Sequence, residues 1–213
     1  MGFVNGVKWV LVFFGCFSIV LASLGLMIAF TLSSIEETIQ GPPPIQERMI
    51  NRLVNEHYEE VSSEIRDEFT TKPTKEELKN HLLLQFTGKS DFVPRKLIIS
   101  MTGVSIILFI VGVLFIFIGK GLRSGLRPLG IGLSIGSIIG AILFWILRKV
   151  LPLMFDQYLR GGKTPEMFNG ILRDLFQEVI VSPLNQGIVL SVVVLIVAII
   201  IMIVGGKERA MRQ

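Results

Sequence analysis

The chain alternates long apolar runs with stretches rich in Glu, Lys and Arg. Four runs carry no charge at all: Trp9 to Leu32, Leu97 to Ile118, Leu129 to Leu147, and Gly187 to Val204. Each holds about 18 to 24 residues, and at 1.5 Å per residue that crosses a hydrocarbon core of roughly 30 Å. Lipid offers no water to backbone amides, so such a run must close its hydrogen bonds internally as a helix. The pattern predicts an all-α integral membrane protein with four transmembrane helices at 9–32, 97–118, 129–147 and 187–204.

The polar stretches between the runs also carry helical spacing. Residues 1–8 form a short N-terminus, and the apolar run that follows is too long for a signal peptide, which predicts an uncleaved helix. In the first long polar segment, 33–96, Gly41-Pro42-Pro43-Pro44 marks the entrance to a helix over 45–69. There Ile45, Met49, Leu53, Val61, Ile65 and Phe69 fall four or eight apart, opposite Glu47, Glu56, Glu59, Glu60, Glu64 and Asp67. Thr74-x-x-Glu77 then reads as a capping box that opens a helix over 74–87, with Leu78, Leu82 and Phe86 as its stripe and Gly88 as its stop.

In the second long segment, 148–186, Pro152 is expected to bend or end the third span. Thr164-Pro165-Glu166 starts a helix over 164–181 striped by Phe168, Leu172, Leu175, Phe176 and Val179, and Ser182-Pro183 breaks it. The segment 119–128 holds Lys120, Arg123 and Arg127 with no acid, and the tail 205–213 holds Lys207, Arg209 and Arg212 against Glu208. Short basic segments stay in the cytoplasm, so both termini are expected inside and both long polar segments outside, as a helical extracytoplasmic cap. Arg95, Lys96, Arg148 and Lys149 lie beside the spans on the opposite side.

Superposing Thr74 on Thr164 also pairs Glu76 with Glu166, Leu78 with Phe168, Leu82 with Leu172, and Phe86 with Phe176. Gly119-Lys120 then falls near Gly206-Lys207. The economical reading is a unit of span, outer helix and span used twice as parallel repeats, with 45–69 inserted in the first copy.

Composition narrows the class without naming a reaction. Of 213 residues, 51% are hydrophobic and 18% charged, which is the membrane range. The net charge of +4 comes from bases scattered beside spans, so a juxtamembrane role fits and no nucleic-acid partner is expected. The single cysteine, Cys16, lies inside the first run, and no Asn-x-Ser/Thr site occurs. Both features lean towards a prokaryotic cell membrane. The cysteines that define the outer loops of the four-span tetraspanins and claudins are absent, so nothing carries over from those families.

Candidate chemistry is sparse. The spans hold no ionisable carboxylate or base, only hydroxyls such as Ser23, Thr31, Ser137 and Ser191 that their own helix carbonyls can satisfy. His57 and Glu60 have the one-turn spacing of a metal pair, a weak signal on so acidic a helix. No catalytic or cofactor site is expected, and no metal site beyond that pair. Gly132, Gly136 and Gly140 at four-residue spacing form a helix-packing face. Met49, Leu53, Phe69, Phe168 and Phe176 form a candidate partner surface. These features predict a non-enzymatic scaffold or accessory subunit in the bilayer, as a homo-oligomer or in a membrane protein complex. The alternative is a homo-oligomeric pore for ions or small solutes.

Overall fold

In the computed structural model of the chain, residues 2–41, 44–64, 72–86, 95–161 and 166–210 are described, and all regular structure among them is helical. The elements are α1 (Gly2–Gln40), α2 (Ile45–Glu56), α3 (Tyr58–Glu64), α4 (Lys75–Phe86), α5 (Arg95–Lys120), α6 (Leu122–Gly161), α7 (Glu166–Phe176), a π-helical stretch (Gln177–Val181) and α8 (Ser182–Ala210). Among the described residues four stretches are long and apolar enough to cross a membrane: Asn5–Gln40, Arg95–Lys120, Ser124–Arg160 and Asn169–Gly206. This is an all-helical protein of the multi-pass membrane class.

The helices run further than the charge-free cores within them, and four sequence expectations are corrected. The corner expected over 119–128 contracts to Gly121, whose φ of 80° is open to glycine at no steric cost. The Gly121 amide donates to the Phe117 carbonyl at 2.7 Å and the Gly125 amide to the Gly121 carbonyl at 2.9 Å, so α6 restarts at once.

Pro152 does not end α6, which continues to Gly161. A proline inside a helix removes one backbone bond and crowds the preceding turn, but the residues beyond it are anchored. Phe155 stacks on Phe176 with centroids 4.2 Å apart, Asp156 accepts from Arg173 at 3.0 Å, and Leu159 is buried.

Ser182-Pro183 does not break the last helix either. The π-helical turn absorbs the proline: the Ser182 amide reaches back five residues to the Gln177 carbonyl. The wider turn relieves the clash that a tight turn would force on the ring.

The helix expected over 45–69 is divided at His57, whose φ and ψ of −125° and 30° leave the helical region. Its ring meets Glu60 Oε2 at 3.2 Å, and the Tyr58 hydroxyl donates to the Pro73 carbonyl at 2.5 Å, so local bonds hold the kink. The positions of Phe69, Gly88, Thr164 and Pro165 lie outside the described residues.

Two compact units divide the chain. The first comprises 1–33, 94–148 and 184–213, and the second 34–93 and 149–183.

In the first unit the other helices pack around α1. Ile19 is fully buried with Ile116 and Leu129, and small residues let the backbones approach. A methyl group added at Gly15 would lie 2.8 Å from the Gly112 carbonyl oxygen, and one at Gly119 would lie 2.9 Å from the Lys8 carbonyl oxygen. Close approach of this kind replaces the hydrophobic drive that lipid cannot supply. The outward faces of α5 and α8 are aliphatic, as at Ile107, Ile118, Val189 and Ile200. Inside, Ser23 donates to Val20, Thr31 to Met27, Ser137 to Leu133 and Ser191 to Gly187, each at a carbonyl of its own helix and within 3.0 Å.

The second unit holds every Asp and Glu of the chain except Glu208, and it has a core of its own. Ile50, Leu53 and Val54 of α2, Val61 of α3, Leu78 and Leu82 of α4, and Ile171 and Leu175 of α7 are buried together.

The capping box opens α4. The Thr74 amide donates to Glu77 Oε2 at 2.8 Å and the Glu77 amide to Thr74 Oγ1 at 3.3 Å. The Thr74 amide, and after it the Thr74 hydroxyl, hold the Glu77 carboxyl below the usual glutamate range, against a small opposing effect of desolvation. A lowered folded pKa means that the cap stabilises α4 above the unfolded value. That contribution is lost as pH falls through the folded value. We therefore expect an NMR titration of the Glu77 carboxyl to show a midpoint below that of a free glutamate, and Thr74→Val to raise it. A midpoint indifferent to Thr74→Val would remove the box.

Candidate functional site

The second unit contains an apolar groove, with a cavity of about 440 Å³. Its walls follow from three local patterns. On α2, the spacing that buries Ile50, Leu53 and Val54 turns Ile45 and Met49 along the edge of that core. On α7 and the π stretch, Ile171, Leu175 and Val179 repeat every four residues and are buried, which brings Leu172, Phe176 and Ile180 onto the adjoining face. Ile39 near the end of α1 and Phe155 on α6 complete the lining. Gln46 supplies the only polar side chain among the lining residues.

Ion pairs in the same unit join α2 to α7 and the π stretch. Arg48 donates to the Glu178 carboxylate and to the Thr38 carbonyl in the last turn of α1, where a helix C-terminus favours a cation. Arg52 stands 3.6 Å from Glu178 and 3.8 Å from Asp174. With its partners partly exposed, Arg52 adds little energy, so these pairs set register more than stability. Glu178 is thus already engaged by two guanidinium groups. Among its lining residues the groove offers apolar surface and no acid, base or nucleophile.

The residues singled out from sequence separate in the structure. Met49 and Phe176 come together in the groove lining, whereas Leu53 is buried in the core beneath. Phe69 and the side chain of Phe168 lie outside the described residues. Gly132, Gly136 and Gly140 face α1: added methyl groups would meet Ile19 at 3.2 Å, overlap the Ser23 hydroxyl, and meet Met27 Sδ at 2.7 Å. His57 and Glu60 meet each other on the surface. Among the described residues no group of three His, Cys, Asp or Glu is placed to hold a metal.

Two parts of the lining were missed in the sequence, although both left a signal. Thr31, Ile35 and Ile39 continue the buried face of α1 at four-residue spacing past Leu32. Phe155, half-buried, and Leu159, buried, stand four apart on α6 past Pro152. Matching small residues at Ser105, Gly112 and Gly119, seven apart on α5, were likewise overlooked, and all three are buried.

Comparison with known proteins leaves the site to be read from its own geometry: no family model, no curated protein and no solved structure matches the chain.

Proposed function

We propose that this chain is a non-enzymatic membrane scaffold or accessory subunit, anchored by its four spans and making its specific contact through the second unit. One contrast carries the reading. The close approaches at Gly15, Gly112, Gly132, Gly136 and Gly140 are filled by neighbouring helices of the same chain, while the groove lined by Met49 and Phe176 is open.

On this reading the second unit is a helical cap on the outer side of a prokaryotic cell membrane. Lys120, Arg123 and Arg127, with no acid among them, keep the corner at Gly121 and both termini in the cytoplasm. The run from α7 through α8 is then the counterpart of α4 and α5 in a parallel repeat. A pore built from several copies is the competing reading. It would need hydroxyls turned towards a shared lumen, and Ser137 and Ser191 are instead buried and bonded to their own helices.

Native mass spectrometry of the complex purified in mild detergent tests the proposal. A second protein at fixed stoichiometry, with no conductance in planar bilayers, supports it. A ring of identical subunits that passes ions sinks it. For orientation, Cys16 is replaced and single cysteines are introduced as Ser63→Cys and Ser124→Cys, both at exposed positions. An impermeant maleimide is expected to label Ser63→Cys in intact cells and Ser124→Cys only after lysis. The reverse pattern inverts the topology.

A further inference from the structure

We propose that the groove of the second unit holds one hydrocarbon chain of a membrane lipid; this rests on the reading that the second unit does the binding. The chemistry of the lining comes first. Apart from Gln46 every lining residue is apolar, and Phe155 and Phe176 present a flat stacked pair, 9° from parallel. Such a wall rewards an apolar ligand and gives a polar one nothing to bond.

The second argument is where the lining residues sit in the chain. Ile39, Phe155 and residues 172–180 all belong to helices long and apolar enough to cross a membrane. Beside Phe155, Leu153 and Met154 of α6 are strongly exposed. Val150 of the same helix is exposed as well, so this part of α6, which supplies Phe155 to the lining, presents an aliphatic surface to its surroundings.

The cavity of about 440 Å³ lies in the range of small-molecule sites. A single hydrocarbon chain enters along its length. The neighbouring charges do not oppose it, because Glu178 is already paired with Arg48 and Arg52.

The test uses the full chain in vesicles of phosphatidylcholine doped with a phospholipid that carries a photoactivatable diazirine at the end of one chain. After illumination, mapped adducts are expected on residues 172–180 and at Met49, in addition to the lipid-facing surfaces of α5 and α8. Ile180→Trp, which fills the groove from the π stretch, should lower groove labelling about tenfold by displacing a pair of methylene groups. Labelling at Ile107 should be unchanged. Met49→Trp fills the groove from α2 and is expected to give the same loss, so the test survives if Ile180→Trp fails to fold. Leu84→Trp, at an exposed site outside the lining, should change nothing.

Adducts confined to the spans in the wild type would overturn the inference. If, in native membranes, the groove residues cross-link to another protein instead of the probe, the lipid assignment falls while the binding role of the second unit stands. A groove that captures neither removes both.

Discussion

Gly112→Ala is expected to destabilise the first unit by about 1–3 kcal/mol, the usual cost of forcing volume into a packed interface. The added methyl would lie 2.9 Å from the Gly15 carbonyl oxygen and 3.0 Å from Ile19, and backbone cannot swing aside as a side chain does. The gain in helix propensity from Gly to Ala, about 1 kcal/mol at most, opposes this but does not cancel it. Two comparisons isolate the cause. At Gly103 an added methyl meets nothing within 4 Å, so Gly103→Ala should be neutral or slightly stabilising. At Gly136 the obstacle is the Ser23 hydroxyl, so Ser23→Ala should recover part of the loss caused by Gly136→Ala, and no single side-chain change should rescue Gly112→Ala. The measurement is unfolding of the purified protein in mixed micelles of rising SDS content, followed by helical circular dichroism. If Gly112→Ala and Gly103→Ala unfold alike, the contact between α1 and α5 is not the support described.

The contrast between Gly112 and Gly136 also shows what the sequence could reveal. Gly132, Gly136 and Gly140 stand out because four-residue spacing repeats within one short window. Ser105, Gly112 and Gly119 serve the same purpose at seven-residue spacing, but they are scattered among Ile, Phe and Val and vanish into the composition of any membrane helix. The four spans were legible because hydrocarbon imposes both length and absence of charge, whereas helix ends are decided by contacts that spacing does not record. Pro152 and Pro183 look like stops in one dimension. Both are overruled, the first by the anchors at Phe155, Asp156 and Leu159, the second by a π-helical turn that no local preference announces. The groove was half visible for the same reason. Met49 and Phe176 lie on stripes that periodicity finds. Ile39 and Phe155 join them only because α1 and α6 continue past the charge-free runs.

Arg48 shows how those continuations matter to the site. Its guanidinium joins the end of α1, through the Thr38 carbonyl, to Glu178 on the π stretch. Two walls of the groove, Ile39 and the 179–180 pair, are therefore set relative to α2 by one side chain. A normal α-turn in place of the π stretch would rotate Glu178 relative to Leu172 and Phe176. The irregular turn thus serves two demands, room for Pro183 and the facing of Glu178 towards Arg48.

The second large effect is expected for Leu78→Ala, which should destabilise the second unit by about 2–5 kcal/mol. Leu78 is fully buried among Ile50, Leu53, Leu82 and Ile171, and the truncation leaves a cavity between short helices that have little capacity to collapse around it. A helix of 12 residues such as α4 is marginal in water by itself, so its apolar face and its cap must hold it. Against a total stability of about 5–15 kcal/mol for a typical domain, such a loss should open the second unit locally. Hydrogen exchange resolves where the damage goes. Amides of α2, α4 and α7 should lose protection, while those of α1 between Val12 and Thr31 and of α5 keep theirs, because glycine contacts rather than Leu78 hold them. Leu84→Ala, on the same helix but exposed, should shift stability by no more than about 0.5 kcal/mol. Leu175 belongs to both the core around Leu78 and the lining of the groove, so Leu78→Ala should also weaken capture of the photoactivatable lipid there. A variant that loses protection in α4 but labels at Met49 as strongly as wild type would mean that the groove does not depend on the core beneath it.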